Sequence, residues 1–255
     1  MTRLPAGGWA LPIRGLPSTH ILKRADPRFA DMVANEAFCL AICRRLGMSV
    51  AAAEVAQYAE PILVVTRYDR EITTDGWIRR VHQEDMAQAL GLSAGAKYEE
   101  HGGPSLRAIA RLLRDWTQGS GSLDRLLDVT FMNMAVGNAD AHAKNLSLLH
   151  LESGAVQLAP AYDIVSTAFY PNVGVRPGMY INDKVSIHDV TMADMLAEAE
   201  SWGLDRSRVI ARLRTLVEGL PAAIAGAERE VPTAPRALID LVMARVKAFA
   251  VTLPS

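Results

Sequence analysis

Gly137-Asn138-Ala139-Asp140-Ala141-His142-Ala143-Lys144-Asn145 crowds polar side chains between two apolar segments. Before it, Leu123 to Val136 carries apolar residues at helical spacing; after it, Leu146-Ser147-Leu148-Leu149 reads as a strand. No core or regular element needs such a cluster there, so the stretch reads as a functional loop held by two buried elements. The strand opens a pair, since Ala155-Val156-Gln157-Leu158-Ala159 follows the turn Glu152-Ser153-Gly154. Pro160-Ala161-Tyr162-Asp163 then sets a second carboxylate at the end of an apolar strand.

Further out, Ser18 to Lys23 predicts a short strand, and Asp31 to Leu46 a helix with Gly47 just past its end. Ile62 to Tyr68 and Trp77 to Val81 are β-rich, with Thr73-Thr74-Asp75-Gly76 as turn material between them. From Gln83 the pattern turns helical, over Glu84 to Leu90, Ser105 to Trp116 and Leu123 to Val136. Met192 to Phe249 is also helical by pattern, with breaks expected at Pro221, Pro232 and Pro235. The expected fold class is therefore α+β, with a β-containing part to about residue 80 and a larger helical part after it.

With 255 residues, half of them apolar, the chain is long enough for one or two packed domains, which excludes a disordered or collagen-like chain. Its 27 basic residues are offset by 28 acidic ones, so bulk charge gives no argument for nucleic-acid binding. No apolar run approaches the ~18 residues of a membrane span. Prolines, glycines and arginines between Met1 and Arg14 exclude a secretory core there. Cys39 and Cys43 lie on one helix face and read as reduced core thiols, which fits a cytoplasmic location.

Asp140 and Asn145 have the D-x-x-x-x-N spacing of a protein-kinase catalytic loop, in which the Asp takes a hydroxyl proton and the Asn holds a metal ion. Asp163 could bridge that metal to phosphates, although a helix N-cap or Asx-turn would account for it as well. Lys23 followed by Glu36 has the order of a phosphate-contacting lysine and its helix partner. A metal-dependent phosphohydrolase built on Asp140, His142 and Asp163 is a weaker alternative. Arg79-Arg80 reads as solvated surface, and Gln83-Glu84-Asp85 after His82 as helix capping rather than metal ligands. Lys97 to Pro104 reads either as a helix-linking turn or as a protein-substrate contact. Arg206, Arg208, Arg212 and Arg214 read as the wet face of an amphipathic helix, and Met132 and Met134 as core filler.

Taken together, Ser18 to Lys23, Asn35-Glu36, Arg67-Tyr68-Asp69-Arg70, His82-Gln83-Glu84-Asp85, Lys97-Tyr98-Glu99, Gly102-Gly103-Pro104, Gly137 to Asn145 and Pro160 to Asp163 resemble the HipA family of toxin serine/threonine kinases. The resemblance runs from Trp9 to about Ser166 and implies a bilobal kinase-like fold, with residues 1–80 as a partial N-lobe and 81–255 as the C-lobe. It implies that Lys23 contacts ATP, that Thr66, Arg67 and Tyr68 form a hinge against adenine, and that Asp140 is the catalytic base. By the same resemblance His142, Ala143, Lys144 and Asn145 approach the nucleotide, Asn145 and Asp163 hold Mg²⁺, and Tyr162 lines the pocket.

The implied activity is phosphorylation of a protein target of the aminoacyl-tRNA synthetase class, which would inhibit translation. The implied partner is an antitoxin of the helix-turn-helix class, with DNA reached only through it. The family also carries a large N-terminal region with a small subdomain and a phosphate-covering loop, whereas Lys23 here follows only 22 residues and Gly7-Gly8 makes no such loop. Three expectations follow: a separate protein supplies that subdomain, the gene is truncated, or the start codon is misassigned. A pseudokinase subunit that binds nucleotide, antitoxin or DNA complex without transfer is the alternative function.

Overall fold

A computed structural model of the chain describes residues 1–3, 8–12, 17–75, 77–117 and 121–252. Gly7 of the glycine pair and Gly76 of the expected turn lie outside those residues. A small ribbon, β1 (Thr2–Arg3) with β2 (Trp9–Ala10), precedes β3 (His20–Arg24), α1 (Met32–Arg45), β4 (Ala53–Gln57) and β5 (Pro61–Thr66). The last three strands form an antiparallel sheet in the order β3-β5-β4. Leu63, Val64 and Val65 make β5 its apolar centre. Every residue of α1 from Val33 to Cys43 is buried, as expected of a helix covered on all sides.

A second ribbon, β6 (Arg70–Ile72) with β7 (Ile78–Arg80), leads into β8 (His82–Asp85), α2 (Met86–Ala89), α3 (Leu106–Trp116) and α4 (Gly121–Val136). After the polar loop come β9 (Ser147–His150) and β10 (Val156–Leu158), followed by α5 (Met192–Ser201), α6 (Arg206–Glu230) and α7 (Arg236–Val251). Strands β8, β9 and β10 form one antiparallel sheet, so the segment leaving the first half of the chain is stitched to the strand that follows Asn145. Met132 and Met134 are buried, as core filler should be. Cys39 and Cys43 are buried free thiols, and burial pushes Cys39 up to about 12 and raises Cys43 as well.

The structure departs from the sequence reading at several elements. The helix expected over Glu84 to Leu90 is strand β8 followed by the single turn α2, because Asp85 both ends the β9 pairing and caps the helix. Strands β4 and β6, not read from the sequence, have little apolar alternation and exist by pairing with β5 and β7. Pro221 does not end a helix; it lies inside the 25-residue α6. A proline there costs about 3 kcal/mol, and burial of Val217, Leu220, Ala223 and Ile224 around it offsets that. Two of the arginines expected on a wet face instead reach back to α4: Arg208 binds Asp124, and Arg212 grips Asp128 through Nε at 2.5 Å and Nη2 at 2.6 Å. Among the described residues no helix is long and apolar enough to cross a membrane.

Candidate active site

Three remote segments converge where the β3-β5-β4 sheet faces the helical part. The Lys23 ammonium on β3 donates to Glu36 Oε1 on α1 and to Asp163 Oδ1, each at 2.7 Å. Asn145 Nδ2 donates to Asp163 Oδ2 at 2.7 Å. Burial opposes charge on Lys23, but the two carboxylates outweigh it and hold the ammonium above its usual range. The Glu36 side chain is only 7% exposed, against 35% for Lys23 and 43% for Asp163. Burial, with Asp163 adding, therefore pushes the Glu36 carboxyl up, while Lys23 pulls the other way. Glu36 anchors the lysine from below, and Asp163 keeps a face toward solvent.

Asp163 does not cap a helix. It sits at φ 58 in the left-handed region, a conformation that costs a non-glycine residue about 1–3 kcal/mol. The next segment is fixed by Asn35, whose side-chain amide accepts from the Ser166 N–H at 2.9 Å and donates to the Ser166 carbonyl at 3.0 Å. The helix that carries Glu36 thus also holds the backbone just beyond Asp163.

Asp140 is exposed at the tip of the polar loop, and the backbone around it is tightly held. Asn138 Oδ1 accepts from the Asp140 N–H at 3.0 Å, while its Nδ2 donates to Asn133 Oδ1 at 2.8 Å. Thr167 Oγ1 accepts from the Ala139 N–H at 2.7 Å. Tyr98 Oη donates to Asp140 Oδ1 at 2.6 Å; burial, followed by that carboxylate, raises the phenol above its usual range. Two glycines let neighbouring backbone press against this region. A Cβ on Gly103 would stand 2.6 Å from the Tyr98 carbonyl oxygen, and one on Gly178 2.7 Å from that of Ala141.

The remaining expected residues fall into two groups. Asn145 Oδ1 accepts from the His142 N–H at 3.0 Å, and Ala143 N–H donates to the Lys97 carbonyl at 3.1 Å. Lys144 Nζ donates to Asp85 Oδ2 at 3.2 Å, and its carbonyl accepts from Tyr162 Oη at 2.6 Å. Tyr162 lies beside Tyr68, with ring centroids 5.9 Å apart, and burial pushes its phenol up to about 12. The His142 ring packs edge-on to Tyr98 at 5.0 Å; its Nδ1 is buried with no partner among the described residues, and burial lowers its pKa. Thr66 and Arg67 are instead held by the sheet: their N–H groups donate to the Ala52 and Thr19 carbonyls, and the Arg67 guanidinium pairs with Asp69.

Sequence reasoning singled out the Lys97 to Pro104 loop but not Tyr98 as the group on Asp140, nor Asn138, Thr167 and Gly178 as its supports. Asn138 was legible in principle, since an Asn two residues before a functional Asp suits an Asx-turn. Thr167 and Gly178 carry no local signal, because their partners are remote in sequence.

A lysine anchored by a buried glutamate, facing an Asp and an Asn within one mixed helix-and-strand fold, is a kinase-like arrangement. The chain belongs to the HipA-like C-terminal domain family, whose model matches residues 9–224. It is 37% identical over 221 residues to the Sinorhizobium fredii protein named "Putative kinase Y4mE", covering 86% of this chain and 52% of that protein. It is 30% identical over 223 residues to the serine/threonine-protein kinase toxin HipA of Shewanella oneidensis, covering 82% of this chain and 51% of the toxin. Among solved structures, HipA in the Shewanella oneidensis complex with HipB and operator DNA is similar at a TM-score of 0.81 and 27% identity, over 92% of this chain and 58% of that one. The chain spans about half the length of the curated relatives it matches.

Proposed function

We propose that this chain is the catalytic part of a HipA-type serine/threonine protein kinase that moves the γ-phosphoryl group of ATP to a hydroxyl on a protein. The observation that carries the reading is the Lys23 ammonium held 2.7 Å from both Glu36 and Asp163, with Asn145 on the other Asp163 oxygen. A cation fixed from below by a buried carboxylate is pre-positioned to meet phosphate oxygens. In this reading Lys23 orients the phosphates and Asp140 accepts the proton of the attacking hydroxyl. Tyr98 orients the Asp140 carboxylate toward that task.

The Asp163 carboxylate, partly open to solvent, offers Mg²⁺ hard oxygen, and Asn145, which now turns Nδ2 to Asp163 and Oδ1 to the His142 N–H, would add its oxygen by turning its amide over. Bound there, Mg²⁺ would neutralise charge on the phosphates. Tyr162, Tyr68 and the loop from His142 to Lys144 form the wall offered to the rest of the nucleotide, with Thr66 and Arg67 behind it in the hinge role. Beside Asp140 lies a cleft of about 390 Å³ lined by Phe29, Met32, Tyr98, Val165 and Tyr170. It has room for side chains flanking the acceptor serine or threonine.

The bilobal division at about residue 80, the cytoplasmic location and the aminoacyl-tRNA synthetase target with inhibition of translation belong to this same proposal. So does a helix-turn-helix antitoxin, with DNA contacted through it, as the complex of the Shewanella relative with HipB and operator DNA suggests. A separate N-terminal subdomain protein would add its strands beside β3, whose side away from β5 pairs with no strand among the described residues and is met at His20 by the Met1 backbone. A second reading, nucleotide or partner binding without transfer, is favoured by one observation: Asp140 and both Asp163 oxygens are already engaged, by Tyr98, Lys23 and Asn145.

Calorimetry with ATP and Mg²⁺, followed by phosphate transfer with and without the protein encoded alongside, tests the proposal. Wild type is expected to bind nucleotide, Asp163→Asn to bind it at least about tenfold more weakly, and Asp140→Asn to bind but not transfer. Absence of nucleotide binding by wild type in both settings overturns the catalytic assignment. Binding without transfer in both settings selects the second reading.

A further inference from the structure

A second polar cluster sits on the β8-β9 ladder, on groups the kinase reading does not use. Strand alternation puts His82 and Glu84 on one face of β8 and Gln83 on the other, where its Nε2 donates to Ser147 Oγ at 3.1 Å. His82 lies directly opposite His150 of β9, with the imidazole centroids 4.9 Å apart. Glu84 Oε1 lies 2.6 Å from His150 Nε2. One ligand atom from each of the three residues falls within 4.8 Å of the other two. The Glu84–His150 contact alone would make an ordinary surface ion pair worth at most about 1 kcal/mol. It does not explain a second imidazole tilted against that of His150 on the same face, on a strand where any polar residue would serve.

We propose that His82, Glu84 and His150 form a Zn²⁺-class transition-metal site that ties β8 to β9. Two imidazole nitrogens and one carboxylate are the donors of a three-ligand zinc site, with water completing the shell. They suit the borderline metals and not Mg²⁺, which demands oxygen. With bonds of about 2.1 Å, tetrahedral donors stand roughly 3.4 Å apart. That spacing lies between the 2.6 Å contact and the 4.8 Å limit seen here, so side-chain rotations on a fixed ladder are enough. His150 would coordinate through Nε2, the nitrogen that now lies 2.6 Å from Glu84 Oε1.

The site's position gives it a consequence. One residue beyond Glu84, Asp85 caps α2 and binds Lys144 of the polar loop, while β9 begins two residues after Asn145. An ion here would fasten the strand entering the helical part to the strand leaving the Asp140–Asn145 loop. The inference rests on the triad alone and stands whether or not the kinase reading does.

The test is calorimetry of the full chain, freed of any purification tag, titrated with Zn²⁺ in the presence of excess Mg²⁺. Wild type is expected to take up one Zn²⁺ at this site, with affinity reduced about tenfold or more in His82→Gln, in His150→Gln and in Glu84→Gln. Asp163→Asn is expected to keep that affinity, which separates this site from the cleft. Thermal melts of the metal-free variants confirm folding, and added Zn²⁺ should raise the melting temperature of wild type but not of the two histidine variants. Failure of wild type to bind Zn²⁺ under excess Mg²⁺, or binding that survives substitution of either histidine, overturns the proposal.

Discussion

Two sets of ion pairs bind remote parts of this chain together, and they differ in what they leave open. In the cleft, Lys23 joins β3 to α1 and to Asp163, yet Lys23 and Asp163 remain 35% and 43% exposed. Between α4 and α6, Arg208 and Arg212, 47% and 36% exposed, close on Asp124 and Asp128, carboxylates only 11% and 8% exposed. The Asp128 hydrogen bond, stronger than the opposing effect of burial, raises Arg212 further above its usual range. In the second set both carboxylates are buried under the arginines, and only the cations reach solvent. In the first the Asp163 carboxylate itself is open to solvent, where a ligand could replace one partner for another. A carboxylate held by two partners yet left open to solvent marks a site more sharply than the number of ion pairs does.

The largest expected effect breaks the cleft without touching the fold. Asp140→Asn should reduce phosphate transfer by about a hundredfold to ten-thousandfold while changing unfolding free energy by less than about 0.5 kcal/mol, measured by transfer assay and denaturant melt on the same sample. Arg212→Ala should do the reverse. It leaves the buried Asp128 without its bidentate partner and should cost about 2–3 kcal/mol of stability, with nucleotide affinity by calorimetry unchanged. If Arg212→Ala weakens nucleotide binding as much as it weakens the fold, the two sets are not independent.

Tyr98→Phe sharpens the comparison within the cleft, since it removes only the hydroxyl on Asp140. Transfer should fall about tenfold, and nucleotide affinity should hold. The smallest effect concerns His142, whose imidazole burial holds below 6.5. Its folded pKa lies below the unfolded one, so its contribution is intact above about pH 6.5 and is lost as pH falls through the lowered folded value. Wild type should therefore lose stability relative to His142→Asn between about pH 7.5 and pH 5.5; a constant difference across that range would show that the ring is not protected from protons.

Local pattern accounted for much of this molecule. Helix α1 with Gly47 after it, α3, α4 and the β9-β10 hairpin were legible because spacing, caps and turn residues agree within each segment. Strand β8 was missed because His82-Gln83-Glu84-Asp85 has the polarity of a helix start, and only the pairing with β9 makes it a strand. The arginines of α6 were misread for a related reason: an Arg facing water and an Arg facing a buried Asp on another helix look the same in sequence. Lys23, Glu36, Asp140, Asn145 and Asp163 were legible as types at suggestive spacings and by their resemblance to one family.

By itself the sequence determined the α+β class and most of the helices and singled out the residues proposed for phosphoryl chemistry, because those readings depend on periodicity and side-chain type within short windows. Only the tertiary structure decided that Lys23 meets both Glu36 and Asp163, that Tyr98 rests on Asp140, and that His82, Glu84 and His150 share one face of a ladder. Such contacts are set by how sheet and helices pack over separations as large as the 140 residues between Lys23 and Asp163, and no local preference of either residue encodes them.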